Sequence, residues 1–196
     1  MKLRILVLGG LAAAGLTFAL QSAHADTTLA PPDLADETAY LTNTVTVTLP
    51  GDLATVRAAM DTTPITDFLR PTDRIPAIDG FTVLEGTWGE PGAVRRVDLA
   101  DGSTVMERVL TNDADEFSYQ IWAISTAEGR FIDHIYGRFD LTEVTGETTI
   151  AWSYNVKPTV FFARPSIRGF LENDFAPFME GGMSGFVDAY IMNQPS

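Results

Sequence analysis

The stretch GAVRRVDLADGSTVMERVL, residues 92–110, decides the fold class because it has the pattern of a β-hairpin. Two runs rich in strand-forming residues flank Asp101-Gly102, a dipeptide typical of tight turns between antiparallel strands. Turn sequences of the same kind separate further strand-like runs on both sides of this stretch. The hairpin therefore predicts one unit of a larger antiparallel sheet.

The rest of that sheet follows from alternation and turn chemistry. A first strand is predicted where Val45, Val47 and Leu49 alternate with threonines. The other predicted strands are residues 81–88, 93–100, 104–111, 116–125, 131–143 and 148–157. The connections between them are short, which implies antiparallel neighbours. We expect about six to seven strands in one sheet.

Helical segments flank these strands. Asp52 is a suitable N-cap for a short helix directly after the first strand, and a loop with several prolines over residues 61–80 follows it. From Ser166 to Met192 apolar residues recur at close to helical spacing, with a kink or a division expected around Pro177 or Gly181-Gly182. A sheet and a long amphipathic helix bury each other's apolar faces, so the predicted class is α+β.

The beginning of the chain is typical of a secretory signal peptide. A short basic start precedes an apolar core over residues 5–20, and Ala23-His24-Ala25 matches a small-x-small cleavage pattern. The apolar core is shorter than the roughly 20 residues of a spanning helix, which disfavours a membrane anchor. We expect cleavage between Ala25 and Asp26 and a periplasmic or secreted protein. The predicted organisation is a signal peptide over 1–25, a flexible tether over 26–42 and one domain over 43–196.

Composition excludes several function classes. The chain has a net charge of −13, which disfavours nucleic acid and anionic lipid headgroups as partners. It has no cysteine and two histidines, without the spacing of a metal site, so no metal or other cofactor is predicted. Neither a phosphate-binding glycine loop nor a nucleophile elbow is present in the sequence.

The order of these elements resembles the helix-grip fold of the SRPBCC superfamily, which includes START domains, plant pathogenesis-related allergens and polyketide cyclase/dehydrase-like proteins. The hairpin at 92–110, FSYQI at 117–121 and YGRFDLTEVTGETTIAWSYNVKP at 136–158 are similar to stretches of the polyketide-cyclase-like branch. The resemblance implies a curved sheet wrapped around the C-terminal helix. It also implies a cavity between them that holds a lipid-, sterol- or polyketide-like molecule, on which some members act as enzymes.

The register of the opening hairpin decides which arginine lies beside Glu107. A two-residue turn places Arg96 opposite Glu107, whereas a three-residue loop with a bulge moves Arg95 to the face that carries Glu107. The resemblance implies that an arginine and a glutamate on these strands point inward and form an acid–base pair in enzymatic members. The alternative is an ion pair on the surface. Glu107, Arg95 and Arg96 are therefore the candidate catalytic residues.

The other candidate ligand-binding residues are mostly aromatic side chains, which would line the core or, with a polar tip towards the ligand, a cavity. His134, the histidine of the predicted mature chain, lies on the more polar face of its strand. The predicted ligand-binding residues are Trp88, Glu107, Tyr119, Trp122, His134, Tyr136, Trp152, Tyr154 and Phe178.

Three functions remain open on the sequence. The first, which we favour, is a binding or transport module for a hydrophobic or amphipathic small molecule, with no stable membrane insertion. The second is a cofactor-independent cyclase, dehydratase or isomerase that uses Glu107 with an adjacent arginine. The third is a non-catalytic subunit or scaffold, with an exposed apolar patch in residues 61–80 or at Phe161-Phe162.

Overall fold

The computed structural model describes residues 30–193, so the predicted signal peptide lies outside the described residues. The strands are β1 Leu41–Pro50, β2 Ile78–Glu85, β3 Val94–Leu99, β4 Thr104–Asn112, β5 Glu116–Trp122, β6 Ile132–Val144 and β7 Glu147–Pro158. The helices are α1 Leu53–Thr62, α2 Arg164–Phe170 and α3 Ala176–Met192. Within residues 30–193 we find no helix with the length and apolar character to span a bilayer.

The seven strands form one antiparallel sheet in the order β1-β7-β6-β5-β4-β3-β2. The α+β helix-grip architecture predicted from the sequence is confirmed. Strands β2 to β7 follow one another as hairpins, whereas β1 lies at the far edge beside β7. The chain between β1 and β2 therefore crosses from one edge of the sheet to the other, and it carries α1 and the proline-containing residues 61–77.

The loop between β3 and β4 settles the register of the opening hairpin. The Leu99 N–H donates to the Ser103 carbonyl, which leaves a three-residue loop between them. Gly102 has a φ of 83°, the left-handed conformation that such a loop requires. Arg95 consequently lies opposite Glu107, and Arg96 lies opposite Met106. Of the two registers considered, the three-residue loop is the one that forms.

The C-terminal helix forms in two pieces, as anticipated, but they join earlier than the glycines suggest. A π-helical turn over Leu171–Phe175 lies between α2 and α3. This turn precedes Pro177, whose ring removes one backbone donor from the first turn of α3, and it accommodates that interruption. Helix α3 then continues without a break through Gly181-Gly182.

The glycines of α3 allow a close approach of the proline-containing segment. A short 3₁₀ turn over Ile65–Phe68 packs on this helix. A Cβ at Gly182 would lie 2.6 Å from Leu69 Cδ2, and a Cβ at Gly185 would lie 2.6 Å from Phe68 Cβ. The absence of side chains at these two positions therefore seats the segment directly on the helix backbone.

The main core lies between the concave face of the sheet and the C-terminal helices, and a smaller cluster of Val94, Met106 and Trp122 lies apart from it. Residues before β1 lie against the other, convex face. Gln120 Nε2 donates to the Pro32 carbonyl at 2.8 Å, and the Tyr40 hydroxyl lies 2.8 Å from His134 Nε2. Pro32 and Tyr40 belong to the segment for which the sequence predicts a flexible tether, and β1 begins within that segment at Leu41.

Candidate ligand-binding cavity

A cavity of about 810 Å³ lies between the concave face of the sheet and the C-terminal helix. Its volume falls within the range of about 300–1,000 Å³ that is typical of small-molecule sites. Strands β2 to β7 supply one wall and α3 supplies another, while residues 60–78 line it from the crossing segment. The cavity is therefore formed by the elements that the fold brings together, with the proline-containing segment as one side of it.

Aromatic and aliphatic side chains make most of this lining. Phe139 and Trp152 stack with ring centroids 5.0 Å apart, and Tyr154 contacts Phe175 of the π-helical turn with centroids 4.7 Å apart. The aromatic residues of the lining are Phe81, Trp88, Phe117, Tyr119, Phe139, Trp152, Tyr154, Phe170, Phe175, Phe178 and Phe186. Such a surface favours an apolar ligand, because contact with it removes apolar area of both molecules from water.

A charged pair interrupts the apolar lining. Both Nε and Nη2 of Arg95 lie 2.6 Å from Oε2 of Glu107, and the two side chains are 12% and 10% exposed. Both contacts of this pair go to the same oxygen, Oε2, of Glu107. One carboxylate oxygen is thus occupied by the arginine, and the other remains an acceptor for a polar group in the cavity.

Two aromatic rings hold the guanidinium of Arg95 in place. Its central carbon lies 3.5 Å from the ring centroid of Trp88 and 4.0 Å from that of Phe81. A planar guanidinium stacks well on aromatic faces and keeps its in-plane donors free for a carboxylate. The two rings and Glu107 together fix the orientation of Arg95.

Two buried tyrosines add hydroxyl groups to the same wall. Trp152 Nε1 donates to the Tyr119 hydroxyl at 3.1 Å, and the rings of Tyr119 and Tyr154 pack edge to face with centroids 6.1 Å apart. Burial raises the pKa of Tyr119 well above its usual range, and the charge of Glu107 raises it further. Burial likewise raises the pKa of Tyr154. Both hydroxyls therefore keep their protons at neutral pH.

A second arginine joins three elements at the border of the cavity. Arg74, in the crossing segment, lies 3.2 Å from Glu128 in the β5–β6 connection and 3.0 Å from Asp174 in the π-helical turn. Its guanidinium also lies over the ring of Phe170 at 4.9 Å. These contacts hold the segment between β1 and β2 against the β5–β6 connection and against the C-terminal helix.

The structure brings together seven of the residues selected from the sequence. Those that line the cavity are Trp88, Arg95, Glu107, Tyr119, Trp152, Tyr154 and Phe178. Arg95, rather than Arg96, is the arginine paired with Glu107.

The other selected residues lie on the convex face, away from the cavity. Neighbouring residues of a strand point to opposite faces, so Arg96 lies on the face opposite to Arg95. There it pairs with Asp98 at 2.8 Å. Trp122 packs with Met106, its register partner. His134 is buried between the Asp133 carboxylate and the Tyr40 hydroxyl, each at 2.8 Å. Tyr136 pairs in register with Gln120 on that same face.

Several lining residues were not selected from the sequence. Phe81 stacks on Arg95. The pairing of β2 with β3 is irregular at both ends, so the alternation of residues along β2 does not predict which face of the sheet Phe81 lies on. Ile65, Leu69 and Pro76 belong to the crossing segment, which has no periodicity. Their apolar character in an otherwise polar loop is the signal that could have selected them.

Several solved structures have an architecture similar to that of this chain. Ara h 8.0201 superimposes with a TM-score of 0.59 at 20% identity, covering 79% of this chain and 99% of its own. The chain has a helix-grip fold. The Zhui aromatase/cyclase from Streptomyces sp. R1128 matches with a TM-score of 0.52 at 14% identity, over 78% of this chain and 92% of its own. XoxI from Bacillus cereus matches with a TM-score of 0.54 at 18% identity, over 76% and 95%.

These likenesses concern the fold, since the identities are low. The fold is consistent with the resemblance to polyketide-cyclase-like proteins noted from the sequence. No family model matches the chain, and no curated protein matches it. Within residues 30–193 no cluster of three or more histidine, cysteine, aspartate or glutamate side chains could hold a metal ion.

Proposed function

We propose that this chain is a periplasmic or secreted module that binds or transports one hydrophobic or amphipathic small molecule in its cavity. A lipid, a sterol or a polyketide-like compound has the suitable character. The observation that carries the proposal is the cavity of about 810 Å³, lined by aromatic side chains, with a charged pair in its wall. A core built only for stability would be filled by side chains, because protein interiors are close-packed.

The polar groups of the wall would orient the ligand. Glu107 Oε1 accepts a hydrogen bond from a ligand hydroxyl or amide, while Tyr119, which keeps its proton, can donate to a carbonyl. The aromatic rings hold the apolar remainder of the molecule. An amphipathic ligand with one polar end therefore fits better than a pure hydrocarbon.

A second candidate is a cyclase or dehydratase without a cofactor. It is favoured by the same free oxygen of Glu107, which could accept a proton from a ligand carbon or hydroxyl while a tyrosine hydroxyl stabilises the oxygen of an enolate. The Zhui aromatase/cyclase shares this fold, which agrees with this alternative at the level of the fold.

Fluorescence titration with 1-anilinonaphthalene-8-sulfonate, an amphipathic aromatic probe, tests the binding proposal. Val105→Phe fills part of the cavity from β4, and Val144→Phe adds the same side chain at the exposed β6–β7 turn as a matched control. We expect saturable binding that is about tenfold weaker in V105F and unchanged in V144F, since one large group displaces ligand contacts. Equal binding by V105F, V144F and the unaltered chain would place the probe outside the cavity and defeat the proposal.

Mass spectrometry then separates carrier from enzyme. The protein is incubated with a lipid extract, and the species retained under native conditions are weighed. A carrier retains a compound of unchanged mass, whereas a dehydratase or dehydrating cyclase converts it to one lighter by a water molecule. Glu107→Gln should abolish that conversion while leaving probe binding measurable.

A further inference from the structure

Two adjacent phenylalanines lie exposed between β7 and α2. Phe161 and Phe162 are 87% and 80% exposed, and the neighbouring Val160 is also exposed. They occupy the 3₁₀ turn Phe161–Ala163, beyond the end of the core. Such exposure of large apolar side chains is unfavourable in water, so it indicates a surface that is covered when the protein works.

The segment of sequence that carries this turn has the opposite charge to the chain as a whole. No aspartate or glutamate occurs from residue 148 to residue 171, whereas Lys157, Arg164 and Arg168 do, in a chain with a net charge of −13. The Thr159 N–H donates to the Phe131 carbonyl at 2.9 Å, which brings the turn that carries Arg130 alongside. We call Arg130, Lys157, Val160, Phe161, Phe162, Arg164 and Arg168 the basic aromatic tip.

These cations are not neutralised by carboxylates. Arg130, Lys157 and Arg168 form no ion pair among the described residues, and Arg130 and Arg168 are exposed. Arg164 donates to the backbone carbonyls of Ala39 and Tyr40, which leaves its positive charge uncompensated. Exposed aromatic rings beside cations that form no ion pair match the boundary of a bilayer that carries anionic headgroups.

We propose that the basic aromatic tip docks this protein on an anionic lipid surface, with Phe161 and Phe162 inserted and the four cations against the headgroups. A protein partner fits less well, because a stable protein interface takes about 20–30 residues a side and this apolar patch has three at one turn. The net negative charge does not prevent docking, since charges beyond about 8–10 Å are largely screened at physiological salt. The docking is peripheral and independent of what the cavity holds.

Sedimentation with vesicles tests the proposal, using phosphatidylcholine alone or mixed with phosphatidylglycerol. Phe161→Ser with Phe162→Ser is compared with Val144→Ser, which removes an exposed valine from the turn at the opposite end of the β6–β7 hairpin. All variants share one N-terminal segment, so differences between them report on the substituted turn. We expect the double variant to lose about a hundredfold or more in affinity for the mixed vesicles, because each of the two inserted rings contributes about one order of magnitude or more.

A second double variant, Arg130→Gln with Arg168→Gln, tests the contribution of the cations. We expect this variant to lose the preference for phosphatidylglycerol, and salt to weaken binding of the unaltered chain. The proposal fails if V144S weakens binding as much as the phenylalanine variant, or if neither tip variant differs from the unaltered chain. It also fails if the phenylalanine variant changes only self-association. V105F, which tests the cavity, should dock like the unaltered chain, so failure of one proposal is distinct from failure of the other.

Discussion

The two faces of the β3–β4 hairpin each carry an arginine–carboxylate pair, and the arginines are consecutive residues of β3. On the concave face Arg95 and Glu107 are 12% and 10% exposed, and two aromatic rings enclose the guanidinium. On the convex face Arg96 and Asp98 are 35% and 34% exposed. The chemistry of the two pairs is the same, so the face of the sheet determines what each pair contributes.

Water screens the Arg95–Glu107 pair less than the Arg96–Asp98 pair. The attraction between Arg95 and Glu107 is therefore the stronger of the two. Removing one member leaves the other charged among aromatic rings, which is costly, whereas an exposed charge is rehydrated at once. The comparison teaches that a charged residue in a strand must be assigned to a face before a role is assigned to it. Three substitutions or conditions test this contrast, in decreasing order of the expected effect.

The largest effect is expected for Glu107→Gln, which keeps the shape and removes the charge. We expect a loss of about 3 kcal/mol in the free energy of unfolding, at the lower end for buried pairs because Glu107 faces a cavity. The matched control Asp98→Asn should change that free energy by about 0–1 kcal/mol. Urea denaturation of both variants measures the difference, and equal losses would contradict the assignment of the faces.

A smaller effect is expected for Gly137→Ala, which tests how tightly the concave wall is packed. A Cβ at Gly137 would lie 2.6 Å from Tyr119 Cε2, so the ring must move. We expect a loss of about 1–3 kcal/mol, as in overpacked cores, and weaker binding of the naphthalene probe. Gly80→Ala in β2 is the control, since a Cβ there meets nothing within 4 Å. Thermal melting that ranks G80A below G137A would refute the packing described for Tyr119.

The smallest effect at neutral pH concerns the two tyrosines of the concave wall. Burial raises the pKa of Tyr119 and of Tyr154 in the folded protein, so the folded state holds these protons more tightly than the unfolded state. Their contribution to stability is therefore complete below about pH 10, the ordinary tyrosine pKa, and is lost as the pH rises towards the folded values. Denaturation midpoints should fall above that pH. The double variant Tyr119→Phe, Tyr154→Phe should flatten this fall, and an unchanged slope would show that other groups cause it.

Much of the fold could be predicted because its determinants are local. Strand β4 was predicted over residues 104–111 and is observed as Thr104–Asn112, since a turn dipeptide and alternating residues mark both ends. Strand β2 was predicted over 81–88 and is observed as Ile78–Glu85. It is an edge strand with little apolar alternation, so its limits depend on pairing with β3 rather than on its own residues.

The candidate site was less predictable because it depends on register and facing. The pairing of Arg95 with Glu107 follows from one glycine in a left-handed conformation, which the dipeptide Asp101-Gly102 allows but does not require. An irregularity between Ile132 and His134 lets Ile132 line the cavity while His134 faces the convex side, although both share one parity in the sequence. The contribution of residues 60–78 arises from tertiary packing alone and has no periodic pattern.

The position of β1 at the edge beside β7 has a consequence for the time course of folding. Thr42 bonds to Asn155, 113 residues further along the chain, so the first strand pairs with the last. The hairpins from β2 to β7 can form from neighbouring residues, whereas β1 must wait until the end of β7 has been synthesised. Pairing over such a long separation loses chain entropy before the contacts between the two strands form, and this slows folding. During synthesis, β1 and the segment that crosses to β2 thus remain open to chaperones and proteases until the last strand arrives.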